Sequence, residues 1–327
     1  MKRAQAKSGF ALLMALMLIA IAVVTLASLA RRSTVAALNA RGAAEELKLR
    51  WAVTSCQYAL LGSVEKVLER TERGGPAHKD EQSERYKNQP VAQLALKCRL
   101  AGIDYELVLT DEQAKLNPNY LLKRHGRAGT EAILSRLSGV SRVARGKAMV
   151  VKLRKTPLLS NLLGKSEPLP AVGGYGQVFE NASPRQLVGD KWSPGAAAGI
   201  TCWSDGKVNV RRASSAVIER ACEKMVQPRV VNELLEVRKR NPYQDLQGML
   251  AEVSALDAVG RAKLSACLTD RSSCHGLWVI ADTGQRCWYW VSIGKGVGGK
   301  APANKPPMAG QAAGAGVFQG RRYDFSW

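Results

Sequence analysis

The sequence predicts an α+β protein in which a long N-terminal helix lies on an antiparallel sheet and a large helical domain is inserted in that sheet. Three observations predict it. An uncharged block from Phe10 to Ala30 is continued by apolar residues at helical spacing. Strand-type alternation begins at Ile103 and returns at Leu277. Between those two strand regions the apolar period is helical. With 46% hydrophobic and 23% charged residues over 327 positions, the chain can bury a substantial core and is not a disordered polyelectrolyte.

The first element is the N-terminal helix. Its apolar block spans about 21 residues, roughly 31 Å as a helix, which matches the hydrocarbon core of a bilayer. Lys2, Arg3 and Lys7 precede it with no acidic residue, so the positive-inside rule holds the leader in the cytoplasm and sends the rest of the chain across. A cleavable secretory signal ending at Ser28-Leu29-Ala30 is the competing reading. It is disfavoured because apolar residues continue at Val35, Leu38, Leu49, Val53, Cys56, Leu60, Val64 and Val67, one face of a single helix. An anchored helix that emerges unbroken into a folded domain is the expectation.

The leader carries a resemblance. Lys7-Ser8-Gly9 followed by Phe10-Ala11-Leu12-Leu13 resembles the leader of type IV pilins and pseudopilins, which prepilin peptidase cuts after the glycine. The resemblance implies cleavage between Gly9 and Phe10, which takes the formal charge from +21 to +18 by removing three cations. Most of that class carries Glu at the fifth mature position, where Met14 stands here. A subunit without that acid leaves the buried amine of its neighbour without a counter-charge, so it suits the start of a filament better than its middle. This departure is characteristic of the K-type minor pseudopilin family of type II secretion.

The next elements extend that resemblance. Residues Thr71 to Gln89 read as a polar loop around Gly74-Gly75-Pro76. Ile103, Tyr105, Leu107 and Leu109 then alternate with polar residues as a strand with one buried face, apart from Val108, and Ala92 to Cys98 pairs with it. The strand runs into Asp111-Glu112-Gln113-Ala114-Lys115-Leu116-Asn117-Pro118-Asn119, similar to a K-type motif through Asp111, Glu112, Asn117 and Asn119. A second segment, Gly206 to Ile218, resembles another K-type motif through Asn209 and Ala213, with Arg211 and Arg212 where the family has Asn and Thr. Read locally, the second segment is a strand-to-helix turn in which Ser214 or Ser215 caps the helix to Cys222.

Further helices are expected from Thr130, from Ser183-Pro184, from Pro228, and from a Ser254/Asp257 capping box to Leu268. Pro228 to Leu268 resembles the helix-hairpin-helix element of the K-type family, and Arg238, Lys239 and Arg240 within it are the candidate phosphate contacts if the chain bound nucleic acid. Leu277 to Ile280 and Cys287 to Ile293 flank Asp282-Thr283-Gly284-Gln285 as a hairpin, and Tyr323, Phe325 and Trp327 alternate as a last strand.

Seven cysteines suit an oxidising compartment. Cys56 can reach Cys98, and Cys202 can reach Cys222, while Cys267, Cys274 and Cys287 leave one bridge and one thiol. Each bridge would add about 2 to 4 kcal/mol by clamping the insertion or the C-terminal hairpin. Cys267, Cys274, His275 and Cys287 lack the tight pair of a zinc site, so no metal is assigned. Gly294 to Lys300 mimics a phosphate loop, but Ala301 replaces the magnesium ligand and Pro302 forbids the helix. His78, His125 and His275 read as solvated loop residues without a catalytic motif. K-type relatives bind calcium through acids of the helical domain; this chain is poor in acids there and no site is carried over.

The layout is therefore a leader over 1–9, a transmembrane part over 10–30 and a soluble part of the helix over 31–70. A loop and first strands follow over 71–115, a helical insertion over 116–268, and C-terminal strands with a flexible segment over 269–327. The implied protein is a non-catalytic minor pseudopilin that initiates and caps a periplasmic pseudopilus, with one inner-membrane span and its bulk in the periplasm. Its implied partners are other minor pseudopilins, the major pseudopilin, the inner-membrane secretion platform, prepilin peptidase, and a secreted substrate or the outer-membrane channel. The rival is a minor pilin of a type IV pilus or DNA-uptake machine, although nucleic acid is the disfavoured partner.

Overall fold

Helix α1 runs from Arg3 to Leu60, a stretch with no proline and only two glycines to weaken it. In the computed structural model the described residues are 3–73, 90–100, 102–140, 149–153, 172–189, 194–282, 287–295 and 321–325. They fall into two compact units, Met1–Thr54 and Ser55–Trp327.

The first unit is helical throughout its described residues. Its hydroxyls bond backward along the helix, Thr25 Oγ1 donating to the carbonyls of Ile21 (3.0 Å) and Ala22 (2.9 Å), and Thr34 Oγ1 to Ala30 (2.9 Å). Neither threonine hydroxyl needs water.

In the second unit the expected single helix is interrupted. A 3-10 turn over Leu61–Ser63 separates α1 from α2, Val64–Glu72. Gly62 weakens the helix at this point, and Ser63 Oγ bonds back to the carbonyls of Ala59 (3.3 Å) and Leu60 (3.0 Å), a back-bonding that bends helices. The buried face of the turn and α2 is Leu61, Val64 and Leu68, not Val67 as the periodicity suggests. Thr71 and Glu72 complete α2 instead of opening a loop; 74–89, with His78, lie outside the described residues.

Strands β1 (Gln93–Leu100) and β2 (Ile103–Asp111) form a hairpin. The chain then leaves the sheet for residues 112–273 and returns as β7 (Cys274–Asp282), β8 (Cys287–Lys295) and β9 (Arg321–Phe325). The five-stranded order is β1-β2-β7-β8-β9, antiparallel at every junction. The helical segment is thus an insertion between two strands that are neighbours in space.

Register explains the outlier Val108. Tyr105, Leu107 and Leu109 stand opposite Ala281, Val279 and Leu277 on one face, where Gln57 Nε2 donates to Ser292 Oγ. Val108 stands opposite Trp278 on the other face, in a core shared with Ile280, Val291 and Ile293 and with the insertion residues Leu134, Tyr175, Ile218, Leu234 and Leu250. Tyr175 stacks on Trp278 at 5.9 Å and meets Trp203 edge-on at 5.0 Å, while its hydroxyl donates to the Ile200 carbonyl at 2.9 Å. The strand buries both faces, not one, and a strand buried on both faces reads as a nearly continuous apolar run.

The insertion holds α3 (Pro118–Ser138), α4 (Pro184–Val188), α5 (Ser215–Cys222), α6 (Pro228–Arg240), α7 (Leu246–Glu252) and α8 (Ala258–Cys267). Two short pairs brace it, antiparallel β3 (Val150–Val151) with β4 (Phe179–Glu180) and parallel β5 (Val208–Asn209) with β6 (Leu268–Thr269). Ser183 forms a full capping box with Gln186, Ser214 Oγ accepts from Val217 N, and Pro228 occupies the first turn of α6.

Two expected caps are corrected. Thr130 lies inside α3, whose start is Asn117-Pro118, and its hydroxyl donates to the Gly126 carbonyl at 2.6 Å. Gly126, at φ 64 and ψ −176, kinks the helix there, a geometry glycine alone adopts without strain. Ser254 does not cap α8; Asp257 does, accepting from Gly260 N, and Ser254 Oγ donates to Glu233 at 2.7 Å.

Candidate functional site

Two features stand out by their solvation, one in each unit. In the first unit the large apolar side chains from Phe10 to Leu29 are 46–68% exposed. This helix is, among the described residues, long and apolar enough to cross a membrane. Met14 occurs in that run, and Phe10 follows Gly9 within α1.

In the second unit charged groups are buried instead. The guanidinium of Arg212, which is 5% exposed, is wedged between three carboxylates. Its Nε lies 2.7 Å from Glu72, and its Nη1 lies 2.6 Å from Glu65 and 3.4 Å from Asp111. His275 Nε2 meets Glu65 at 2.7 Å. Asp111 also accepts from Asn209 Nδ2 (3.1 Å), Ser272 Oγ (2.5 Å) and Gln113 N (2.9 Å). Glu72 accepts from Val91 N at 2.9 Å, and its main-chain carbonyl from the Tyr243 hydroxyl at 3.3 Å. Arg211 lies over the Tyr243 ring and reaches Glu72 at 3.9 Å. Helix α2, strands β2 and β7, the turn after β5 and the loop after α6 all meet at one ionic node.

The local sequence explains the node's geometry. Glu65 and Glu72 are seven apart on α2, two turns along one face. Asp111 ends β2 and caps the turn that follows, while Asn209 ends β5 and accepts from Arg211 N at 3.0 Å. Burial pushes Glu65 up, yet its bonds to His275 and Arg212 prevail and hold its pKa at about 2. Burial dominates at Asp111 and pushes it up despite the Ser272 hydroxyl. Burial lowers Arg212, but Glu72 and Glu65 outweigh it and raise the guanidinium above its ordinary value.

The other motif residues knit the insertion to the sheet. Glu112 Oε1 accepts from Thr110 Oγ1 and from buried Lys115 Nζ, both at 2.6 Å. Gly276 lies against this pair so closely that an added Cβ would fall 2.5 Å from Thr110 Oγ1 and 2.7 Å from Glu112 Oε1. Asn117 Oδ1 caps α3 through Asn119 N while its Nδ2 donates to the Ser204 carbonyl at 2.7 Å. Asn119 makes a two-bond bridge to Val172, and the buried Ala213 amide donates to the Asn209 carbonyl at 2.9 Å.

Several expected roles change. Arg238 does not face solvent as a phosphate contact: it donates to the carbonyls of Val210 (3.1 Å) and Ala213 (2.5 Å) and to Ser215 Oγ (3.2 Å). Arg240 pairs with Glu252 at 3.6 Å, and Lys239 is exposed. His275 lies on β7 and is 9% exposed, and His125 lies in α3; neither is a solvated loop residue. The thiols of Cys56 and Cys98 are in contact. Cys222 lies beside Cys267, not Cys202; Cys202 lies near Glu112, Cys274 is buried and Cys287 is exposed.

The node was missed from sequence because Arg212 read only as a departure from a motif. Two acids on the buried side of α2 were the available signal. Among the described residues no group of three or more acids, histidines and cysteines is placed to hold a metal, and the Glu65, Glu72 and Asp111 carboxylates enclose Arg212 instead.

No protein-family model and no curated protein matches the sequence. Among solved structures the chain is similar to one in the crystal structure of the GspK-GspI-GspJ complex from the enterotoxigenic Escherichia coli Type 2 Secretion System. The likeness has a TM-score of 0.46 at 14% identity and covers 80% of this chain and 95% of that one.

Proposed function

We propose that this chain is a K-type minor pseudopilin of a type II secretion system, a non-catalytic subunit that starts and caps a short periplasmic pseudopilus. The observation that carries the reading is the unburied apolar run of α1, which begins directly after Lys7-Ser8-Gly9. Such a face is soluble only in lipid or against other apolar helices. The insertion between β2 and β7 supports the K-type assignment, because a subunit carrying that bulk suits a tip and not a repeating shaft.

Two steps make up the mechanism. Prepilin peptidase cuts between Gly9 and Phe10, and the freed helix packs beside those of partner minor pseudopilins on the inner-membrane platform. Met14, offering no carboxylate to a neighbouring amine, gives this subunit the leading place, with the major pseudopilin added behind it. The insertion then faces the exported substrate or the outer-membrane channel. Nucleic acid has little support as a partner, since Arg238 is committed to backbone carbonyls.

Mass spectrometry of the mature N-terminus of the membrane-extracted protein tests the reading. A start at Phe10, methylated, is expected; a start at Arg31 overturns it in favour of a secreted protein. Met14→Glu is expected to displace the subunit from the tip and reduce secretion. Unchanged placement and secretion would remove the initiating role.

A further inference from the structure

The region from Cys222 to Cys267 contains α6, α7 and α8, and each of its ends is anchored. Cys222 closes α5 and Cys267 closes α8, and each is 0% exposed. Strand β5 precedes α5, and β6 starts at the residue after Cys267; the two strands pair in parallel through Val208 with Leu268 and Asn209 with Thr269. Arg124 grips the carbonyls on either side of Cys222, Nη1 reaching Ala221 at 2.9 Å and Nη2 reaching Glu223 at 3.3 Å. Helix ends held this firmly make α5 and α8 neighbours, and each of the two thiols shifts the ionisation of the other.

We propose that Cys222 and Cys267 are joined by a disulfide that closes the helical hairpin into a covalent ring. The proposal rests on export to the periplasm, where such bonds persist.

The chemistry has a defined direction. Beside one another the two thiols push Cys222 up and Cys267 down, while Arg124 favours both thiolates. In the first step Cys267, as its thiolate, is the nucleophile. It attacks the disulfide of an envelope thiol oxidant, expelling one oxidant thiolate and leaving a mixed disulfide. Cys222, losing its proton, then attacks the Cys267 sulfur and expels the second oxidant thiolate. The pair gives up two electrons and two protons, and the oxidant becomes a dithiol. Since neither sulfur is exposed, the exchange takes place while the insertion is still closing, and the finished bond is shielded from reductants.

The test uses the full chain extracted from the cell envelope, alkylated under denaturing, non-reducing conditions and mapped by peptide mass spectrometry. The expected result is a linked peptide pair containing Cys222 and Cys267, lighter by two hydrogens than the reduced peptides. In Cys267→Ser, Cys222 is expected to become fully alkylated. Alkylation of both cysteines in a protein whose Cys56 and Cys98 are linked overturns the pairing and leaves the export reading intact. Alkylation of all seven overturns the pairing and counts against an oxidising compartment as well. A Cys202–Cys222 link also overturns it.

Discussion

The run from Phe10 to Leu29 and the node around Arg212 are opposite violations of the usual partition between inside and outside. The first leaves apolar side chains uncovered; the second buries the Arg212 guanidinium, the Glu72 and Asp111 carboxylates and the His275 imidazole, with Glu65 and Arg211 half-buried beside them. The difference lies in where the compensation comes from. Each node charge has its counter-charge within the same unit, and Arg212 Nη2 and Arg211 Nε alone of the node's guanidinium nitrogens are buried without a hydrogen-bond partner among the described residues. Nothing within the described residues covers the apolar run. On the proposed reading lipid and partner helices cover the run, whereas the node closes on the joint between helix α2, the sheet and the insertion.

The largest test of this contrast is Arg212→Met. Leaving three carboxylates around an apolar side chain should cost about 3 to 5 kcal/mol, read as a lower denaturant midpoint of the region beyond the apolar run. An unchanged midpoint would mean the node is not self-sufficient. Leu18→Arg places a charge near the middle of the apolar run, at about 2.5 to 3.5 kcal/mol against insertion. The expected readout is protein lost from carbonate-washed membranes with the midpoint of the body unaltered, which separates the two regions directly.

A pH series sharpens the comparison further. Glu65 has a folded pKa of about 2 against an ordinary 4.5, so the stability it contributes is full above about pH 4.5 and is lost as pH falls towards 2. Because the group is partly exposed, the loss is on the order of 1 kcal/mol after solvent screening. Glu65→Gln should flatten that part of the profile; a variant with the same acid slope would shift the effect to other carboxylates. Smallest is Arg240→Ala. Its pair with Glu252 is exposed, and the expected change is under about 0.5 kcal/mol in the same denaturant assay, a control showing that burial and not pairing gives Arg212 its weight.

Legibility in the sequence follows the same division. The apolar run, the Ile103 alternation and the helices opened by Ser183-Pro184, Ser214 and Pro228 were all visible, because each is written in contiguous residues. Val108 was not placed correctly, because its facing residue Trp278 lies across the whole insertion. The first turns of α3 were missed because Gly126 breaks the helical pattern, so Thr130 looked like a beginning. Beyond the two acids of α2 the node could not be read from spacing: Glu65, Asp111, Arg212 and His275 belong to four separate elements and share no period. The pairing of Cys222 with Cys267 was hidden likewise, since it depends on how α5 and α8 end and not on how far apart the cysteines are.

The adjacency of β2 and β7 has a consequence for biogenesis. During synthesis the β1–β2 hairpin emerges early and must wait, one ladder unpaired, until the distant return strand arrives. Closing so long a loop is slow by comparison with local helix formation. The waiting edge is sticky to any other extended chain in the same condition. A cell making this protein thus faces a period of vulnerability whose length is fixed by how quickly the insertion crosses and settles. Shortening that excursion would speed maturation before it altered the finished molecule.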